Sequence, residues 1–298
     1  MSNLIKFNYN AMPKSQAYEE GMNLVEGDTK NLRVEIKNDI TYATKDGLDL
    51  HIRLLKPNNI QKEEDQTKYP VLIHVQGSAW MKQNMNDHVV DFKEIVQAGY
   101  MVAIIQYRDS SIVKIPGQVI DVKDAARYLI NHKDDIGFDE NRIYLSGDSS
   151  GGHTALMCWA TWPTETNLPK INAFMDFYGV VEFKEFLNQT SAVDHSGPMS
   201  PEGMALGKAM DDPECVELAK NASILTHIHK NIQNQPLLVL HGNKDRLVPF
   251  EQSILLYQKA KQENKDVTFY AVNNADHGGS AFYCKAVYEI IIDFLNTH

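Results

Sequence analysis

The sequence predicts a chain of the α/β class, with one mostly parallel, doubly wound sheet of about eight strands, helices on both faces and a lid insertion late in the chain. Three observations carry that expectation. From residue 69 onward, short and nearly continuous apolar runs alternate with segments of helical periodicity, as strands do when helices cover both faces of a sheet. One such run, Ile143 to Leu145, stops abruptly at GDSSGG, Gly147 to Gly152, and an Ala/Leu/Met-rich helical pattern follows. Two further polar residues, Asp245 and His277, each stand just beyond a later apolar run.

The elements follow in order. Residues 1–30 are polar and mixed, with Pro13 and Gly27 as breakers, and read as an N-terminal cap segment with a short helix around Ser15 to Leu24. Strand patterns at Arg33 to Tyr42 and Leu48 to Leu55 are joined by Asp46 and Gly47, a strong two-residue hairpin signal, so two antiparallel strands open the sheet. The charged stretch 56–69 is an exposed connection. Tyr69 to Val75 and Met101 to Gln106 are buried strands, with a helix over Asp87 to Ala98 between them, ended by Gly99. A second helix runs from Gly117 to His132, with Val119, Val122, Ala126, Leu129 and Ile130 on one face. After the strand, turn and helix around Ser149 come a strand at Ile171 to Tyr178 and an irregular insertion, 181–230, long enough to act as a lid or binding region. It contains a helical piece at Pro213 to Lys220. Its methionines Met199, Met204 and Met210 either line an acyl or leaving-group pocket or fill a small satellite core. Strands at Gln235 to Leu240 and Val267 to Val272 and helices at Phe250 to Lys261 and Ser280 to Phe294 complete a single domain, 1–298, with no internal repeat or interdomain linker.

Composition narrows the function. The 298 residues hold 29 basic and 39 acidic side chains, a formal charge of −10, which repels nucleic acid and anionic membrane alike. The three cysteines, Cys158, Cys215 and Cys284, are odd in number and lack metal-ligand spacing, which argues against a disulfide framework. No apolar stretch near Met1 has the length of a signal peptide and none elsewhere has spanning length, so the expectation is a cytoplasmic protein. Monomer and homo-oligomer both remain open.

Gly147, Ser149 and Gly151 fit GxSxG, in which a serine sits on a strained strand-to-helix turn with its hydroxyl exposed above the sheet. The glycines are required because side chains two residues either side of the serine would collide across the turn. At the helix start, backbone N–H groups and the positive dipole end can stabilise an oxyanion. Such a serine needs a base within reach and a carboxylate to fix the base's tautomer. Asp245 in LHGNKD and His277 in NNADHGG follow Ser149 in the order Ser, Asp, His, which is that of the α/β-hydrolases. Asp176, inside the next strand, competes with Asp245 for the acid role. Asp276 adjoins His277 too closely to hold its far nitrogen toward Ser149, and Asp148 buttresses the turn. Of the other histidines, His241 hydrogen-bonds locally and His74 lies within a strand. The oxyanion hole is expected from the N–H groups of Ser150 and of the loop Gln76 to Trp80, with Ser78 and Ala79 as donors.

With these residues in hand the chain resembles the bacterial carbohydrate esterases called bifunctional feruloyl and acetyl xylan esterases, and beyond them the hormone-sensitive-lipase group. The resemblance runs from about Tyr69 to the C-terminus. It is carried by QGSAW, by YR at Tyr107 and Arg108, and by DVKDAARYLINH before DENRIYLSGDSSGGH, and is completed by FYG at Phe177 to Gly179, LHGNKDRLVP and ADHGG. Relatives commonly have HGGG where this chain has Gln76, Gly77, Ser78 and Ala79. Ser78 and Ala79 can donate equally well provided φ stays negative. Gly77 and Trp80 are expected to border the substrate, Trp80 as a wall of the acyl site.

The resemblance implies a serine carboxylester hydrolase working through an acyl-enzyme on small acyl esters, acetyl or feruloyl, of carbohydrate fragments, with no metal or organic cofactor. A peptidase or amidase of the same fold, prolyl-peptidase-like or arylformamidase-like, is the alternative. A non-catalytic binding protein on a hydrolase scaffold is a remote one, because the Ser, Asp and His are all present.

Overall fold

The computed structural model describes residues 9, 11–28, 31–59, 67–162, 167–229 and 234–298. Its strands are β1 (Arg33–Lys45), β2 (Leu48–Asn58), β3 (Tyr69–Val75), β4 (Met101–Ile105), β5 (Phe138–Asp148), β6 (Ala173–Phe177), β7 (Leu237–Gly242) and β8 (Val267–Val272). They form one sheet in the order β1-β2-β4-β3-β5-β6-β7-β8. β1 and β2 pair antiparallel, β2 meets β4 antiparallel, and every later pairing is parallel. The β1–β2 hairpin turns at Asp46 and Gly47 with φ of 50° and 74°, the left-handed pair that such a turn demands.

The helices are α1 (Lys93–Gln97), α2 (Gly117–Asn131), α3 (Lys133–Ile136), α4 (Ser149–Thr161), α5 (Pro201–Leu206), α6 (Cys215–Ala222), α7 (Ile224–His227), α8 (Glu251–Gln262) and α9 (Lys285–Thr297). Two cores flank the sheet, and period-2 alternation assigns the strand residues to them. Val71, Ile73 and Val75 of β3 pack with α2, α4 and α8, whereas Leu72 packs with α1 and α9. β4 splits likewise, with Met101, Ala103 and Ile105 on one side and Val102 and Ile104 on the other. α4 is buried from Ser150 to Ala160, as a helix apolar on every side must be.

Three sequence expectations need correction. Residues 15–24 form no helix: 11–28 are exposed throughout with only isolated turns, so no packing offsets the cost of nucleating a helix in a segment with two breakers. The rest of the N-terminal expectation, residues 1–8, 10, 29 and 30, lies outside the described residues, as do residues 60–66 of the 56–69 connection. The helix expected over Asp87 to Ala98 starts only at Lys93, because His88 adopts a φ of 63° while its ring is held by Asp91 and Tyr283. The closing helix begins as a 3-10 turn, Ser280–Tyr283, and restarts after an extended Cys284.

The insertion is partly regular. A 3-10 turn (Phe183–Asn188), α5, α6 and α7 lie within it, and a third core joins Phe183, Phe186, Leu206, Met210 and Ala219 to Trp80 and Val248 of the body. Met210 therefore belongs to a satellite core, while Met199 is 78% exposed.

Candidate active site

Ser149 sits where β5 gives way to α4, with φ at 51°, a left-handed conformation that costs a non-glycine residue of order 1 kcal/mol or more. The surrounding backbone enforces it. A Cβ on Gly147 would lie 2.1 Å from the carbonyl oxygen of Gly151, and one on Gly151 would lie 2.0 Å from that of Val75 in β3. Gly147 pairs with Val75 on one side and Asp176 on the other, so Ser149 emerges just past the C-terminal ends of β3, β5 and β6. Ligands of open α/β sheets bind at this edge.

β7 and β8 deliver the other two residues to the same edge. His277 Nε2 lies 2.8 Å from Ser149 Oγ, and its Nδ1 lies 2.7 Å from Asp245 Oδ2. With Nδ1–H donated to the carboxylate, Nε2 accepts the serine proton. Asp245 takes more than this one bond. Its Oδ1 accepts the N–H groups of Leu247 (2.8 Å) and Val248 (2.9 Å), and its Oδ2 faces His241 Nε2 at 3.1 Å. Burial alone would raise this carboxyl, but the hydrogen bonds and positive ends of His241 and His277 hold it well below the usual carboxylate range. His241 was expected to bond locally, and it does so on the acid itself. Its Nδ1 meets Ser253 Oγ at 2.7 Å, which leaves Nε2–H directed at Asp245 and the Val248 carbonyl.

The rival carboxylates are elsewhere. Asp276 accepts from Arg246 and from backbone N–H groups. Asp176 is fully buried under α4, with Oδ1 accepting from Gly179 N at 3.1 Å and Oδ2 lacking a hydrogen-bond partner. Burial pushes its carboxyl up to about 8 against the single stabilising bond from Gly179. The folded protein thus holds this proton between about pH 4 and 8, where the unfolded chain has released it. The resulting stability is complete below pH 4 and is lost as pH rises through 8. Asp176→Asn has no proton to lose, so its unfolding free energy in urea melts is expected to gain on the parent's between pH 5 and 9, by on the order of a few kcal/mol. Parallel pH profiles would rule out a neutral Asp176.

The loop from Gln76 to Trp80 corrects the expected oxyanion hole. The Ser78 N–H is already donated to Ser150 Oγ (2.9 Å), and that of Gly77 to Asp148 Oδ1 (2.8 Å). This leaves Ala79 and Ser150 as the backbone donors of the predicted set, with Ser78 as a brace between loop and helix. Ala79 and Trp80 both have φ of 55°, so the condition of a negative φ is not met at Ala79, although its N–H is not donated elsewhere among the described residues; the chain runs through the conformation that glycine would adopt freely and accepts the strain. The loop is held by Tyr107, whose hydroxyl donates to the Gln76 carbonyl (2.9 Å) and meets Ser78 Oγ (3.0 Å), and whose N–H is received by Gln83 Oε1. Arg108, next in sequence, is clamped on Asp121 of α2.

Asp148 ties the two halves of the site together. Besides Gly77 N, its carboxylate lies 3.2 Å from His74 Nε2 and 3.6 Å from His88 Nε2. Burial would lower the His88 ring and raise the Asp148 carboxyl. Their contact reverses both, lifting His88 to about 9 and holding Asp148 far below the usual range. Among the described residues His74, His88 and Asp148 are the one set whose donor atoms, all within 4.8 Å, have the makings of a metal site.

A cavity of about 90 Å³ opens beside Ser149 and His277, walled by Ala79, Trp80, Val180, Val193, Leu247 and Val248. Trp80 is among the residues that line it. Gly77 is not, because its Cα faces Asp148 and Ser149, and a Cβ there would meet Asp148 at 2.5 Å. None of the three methionines of the insertion lines the cavity. His195 and Glu202 do, and no sequence pattern singled them out.

The chain is 28% identical over 215 residues to the probable carboxylic ester hydrolase LipM of Mycobacterium tuberculosis, an alignment covering 68% of this chain and 47% of LipM. Esterase LipQ of the same organism is 26% identical over 240 residues, covering 76% of this chain and 55% of LipQ. This chain thus spans about half the length of the curated relatives it matches. Among solved structures, a truncated carbohydrate esterase from gut microbiota superposes with a TM-score of 0.74 at 22% identity, over 91% of this chain and 98% of that one, which shows the α/β-hydrolase fold. Residues 59–260 match the family model described as BD-FAE, and with the site assembled on that fold the chain belongs to the BD-FAE family.

Proposed function

We propose that this protein is a serine carboxylester hydrolase acting on small acyl esters of carbohydrate fragments. The observation that carries the reading is the continuous line from Ser149 Oγ through His277 (2.8 Å) to Asp245 (2.7 Å) on a strained strand-to-helix turn. In this mechanism His277 Nε2 takes the Ser149 proton as Oγ attacks the ester carbonyl. The N–H groups of Ala79 and Ser150 receive the negative charge, and His277 then hands its proton to the departing alkoxide. Water, activated by the same imidazole, adds to the acyl-enzyme and returns Ser149 to its resting state with release of the acid. The chain supplies every group these steps use.

The acyl group is acetyl rather than feruloyl in this reading. The cavity of about 90 Å³ is smaller than the roughly 150 Å³ that benzene occupies in an enclosed cavity, which favours a small acyl group over a substituted phenyl ring. The carbohydrate alcohol rests on family membership and on the resemblance to carbohydrate esterases. A cytoplasmic setting, with imported acylated oligosaccharides as substrate, fits three cysteines that are all free.

The test is acid release from acetylated xylo-oligosaccharides, methyl ferulate, p-nitrophenyl acetate and butyrate, and an aminoacyl-proline amide. Turnover of the acetylated sugars well above methyl ferulate and butyrate is the expected outcome. Cleavage of the amide alone would replace this reading with the peptidase one.

A further inference from the structure

The cavity beside Ser149 has an apolar wall and one charged exception. Glu202, at the second position of α5, is only 2% exposed, and it reaches the cavity together with His195. A carboxyl so enclosed is costly unless each oxygen has a partner. Its Oε2 has one, His195 Nδ1 at 2.8 Å, whereas among the described residues nothing donates to Oε1.

The surroundings of His195 determine what Oε1 can do. His195 Nε2 faces Ser191 Oγ (2.9 Å) and the Leu247 carbonyl (3.1 Å). Ser191 Oγ spends its own proton on the carbonyls of Arg246 and Leu247, so it only accepts from the ring, and Nε2 must carry a hydrogen. One further proton lies between Nδ1 and Oε2. Whether it rests on the ring, giving an imidazolium and a carboxylate, or on Oε2, giving a neutral pair, Oε1 remains an acceptor without a donor. Oε1 is therefore open to accept from whatever enters the cavity, water or substrate.

The chemistry of that donor follows from its place. His195 is fastened to Leu247, two residues beyond Asp245 on the loop whose carboxylate orients His277. The cavity is small and is lined by Ser149 and His277 as well as Glu202, so a group bound at Glu202 shares it with the reacting ester. We propose that Glu202 sets the alcohol specificity of the site, its Oε1 accepting a hydrogen bond from a hydroxyl on the carbon next to the one bearing the ester. Partially acylated sugars and other vicinal polyols carry such a group, and simple alkyl esters do not. The proposal rests on ester hydrolysis at Ser149, but not on the alcohol being a sugar.

The experiment compares kcat/KM for 2-hydroxyethyl acetate with two partners that lack the O–H: propyl acetate, equal in size, and 2-methoxyethyl acetate, equal in inductive pull. A hydrogen bond to this acceptor predicts a preference for the hydroxylated ester of about tenfold in the parent. Glu202→Met has nearly the same length and no oxygen, so the preference is expected to fall to about one. A parent ratio near one overturns the proposal without any variant, as does a Glu202→Met protein in which all three esters slow by one common factor, the mark of a merely structural pair. Ethyl glycolate against ethyl propanoate locates the hydroxyl: a preference that Glu202→Met abolishes there instead would put the recognised group on the acyl side and equally overturn it. Failure of the carbohydrate reading looks different, with acetylated xylo-oligosaccharides untouched while 2-hydroxyethyl acetate still outpaces propyl acetate.

Discussion

Ser149→Ala is expected to lower kcat/KM on p-nitrophenyl acetate by roughly 10⁵- to 10⁶-fold while leaving the fold in place. The size follows from cooperation within the site: without Oγ, neither His277 nor Asp245 has a nucleophile to serve, and only the backbone donors and substrate binding still act. Alanine tolerates the φ of 51° at this turn no worse than serine, and the closely packed glycines around it are untouched, so the thermal midpoint should move little. A fluorophosphonate probe gives an independent readout. It should label the parent on Ser149 and leave the variant unlabelled. Undiminished turnover in the variant would mean that another residue is the nucleophile.

Asp245→Asn should cost about 10⁴-fold in kcat, and the hydrogen bonds around the carboxylate say why. Oδ1 accepts two backbone N–H groups, from Leu247 and Val248, so an amide at this position must put its carbonyl there. Its NH2 group is then forced to face His277 Nδ1 and His241 Nε2, where the carboxylate had accepted from both. Donor meets donor, and His277 relieves the clash by moving its hydrogen to Nε2, the nitrogen that has to receive the Ser149 proton. The loss is expected in kcat rather than KM, because the cavity walls do not change. A variant with near-parental kcat would show that Asp245 does not orient the base, and Asp176 and Asp276 would have to be reconsidered.

Much of this site could be read before any coordinates, for local reasons. GDSSGG announces its turn because only glycine fits where Cβ atoms would strike Gly151 and Val75, and that constraint acts over a few residues of sequence. Asp245 and His277 stand beyond buried strands, and the parallel sheet of an α/β chain brings strand ends together, so their meeting Ser149 follows from topology alone. The same logic identified the loop from Gln76 to Trp80 as the source of oxyanion donors.

What escaped the sequence depends on contacts between distant segments. Which N–H groups of that loop are free was decided by the Asp148 carboxylate and Ser150 Oγ, 71 and 72 residues away, which consume the amides of Gly77 and Ser78 respectively. The left-handed φ of Ala79 and Trp80 likewise comes from the anchorage of the loop on Tyr107 and the α4 start, because nothing in an Ala-Trp pair favours it. Asp176 is an ordinary strand aspartate in the sequence, and only burial between β5, β7 and α4 makes it a neutral acid. The insertion carries no readable motif, yet its packing on Trp80 and Val248 buries Glu202 and His195 in the cavity wall. Chain order, turn chemistry and strand periodicity thus determined by themselves the fold class and which serine, histidine and aspartate would meet at one sheet edge. Tertiary packing alone decided the free donors, the protonation states and the shape of the pocket, because each of these depends on which polar groups long-range contacts bury and which they leave unpaired.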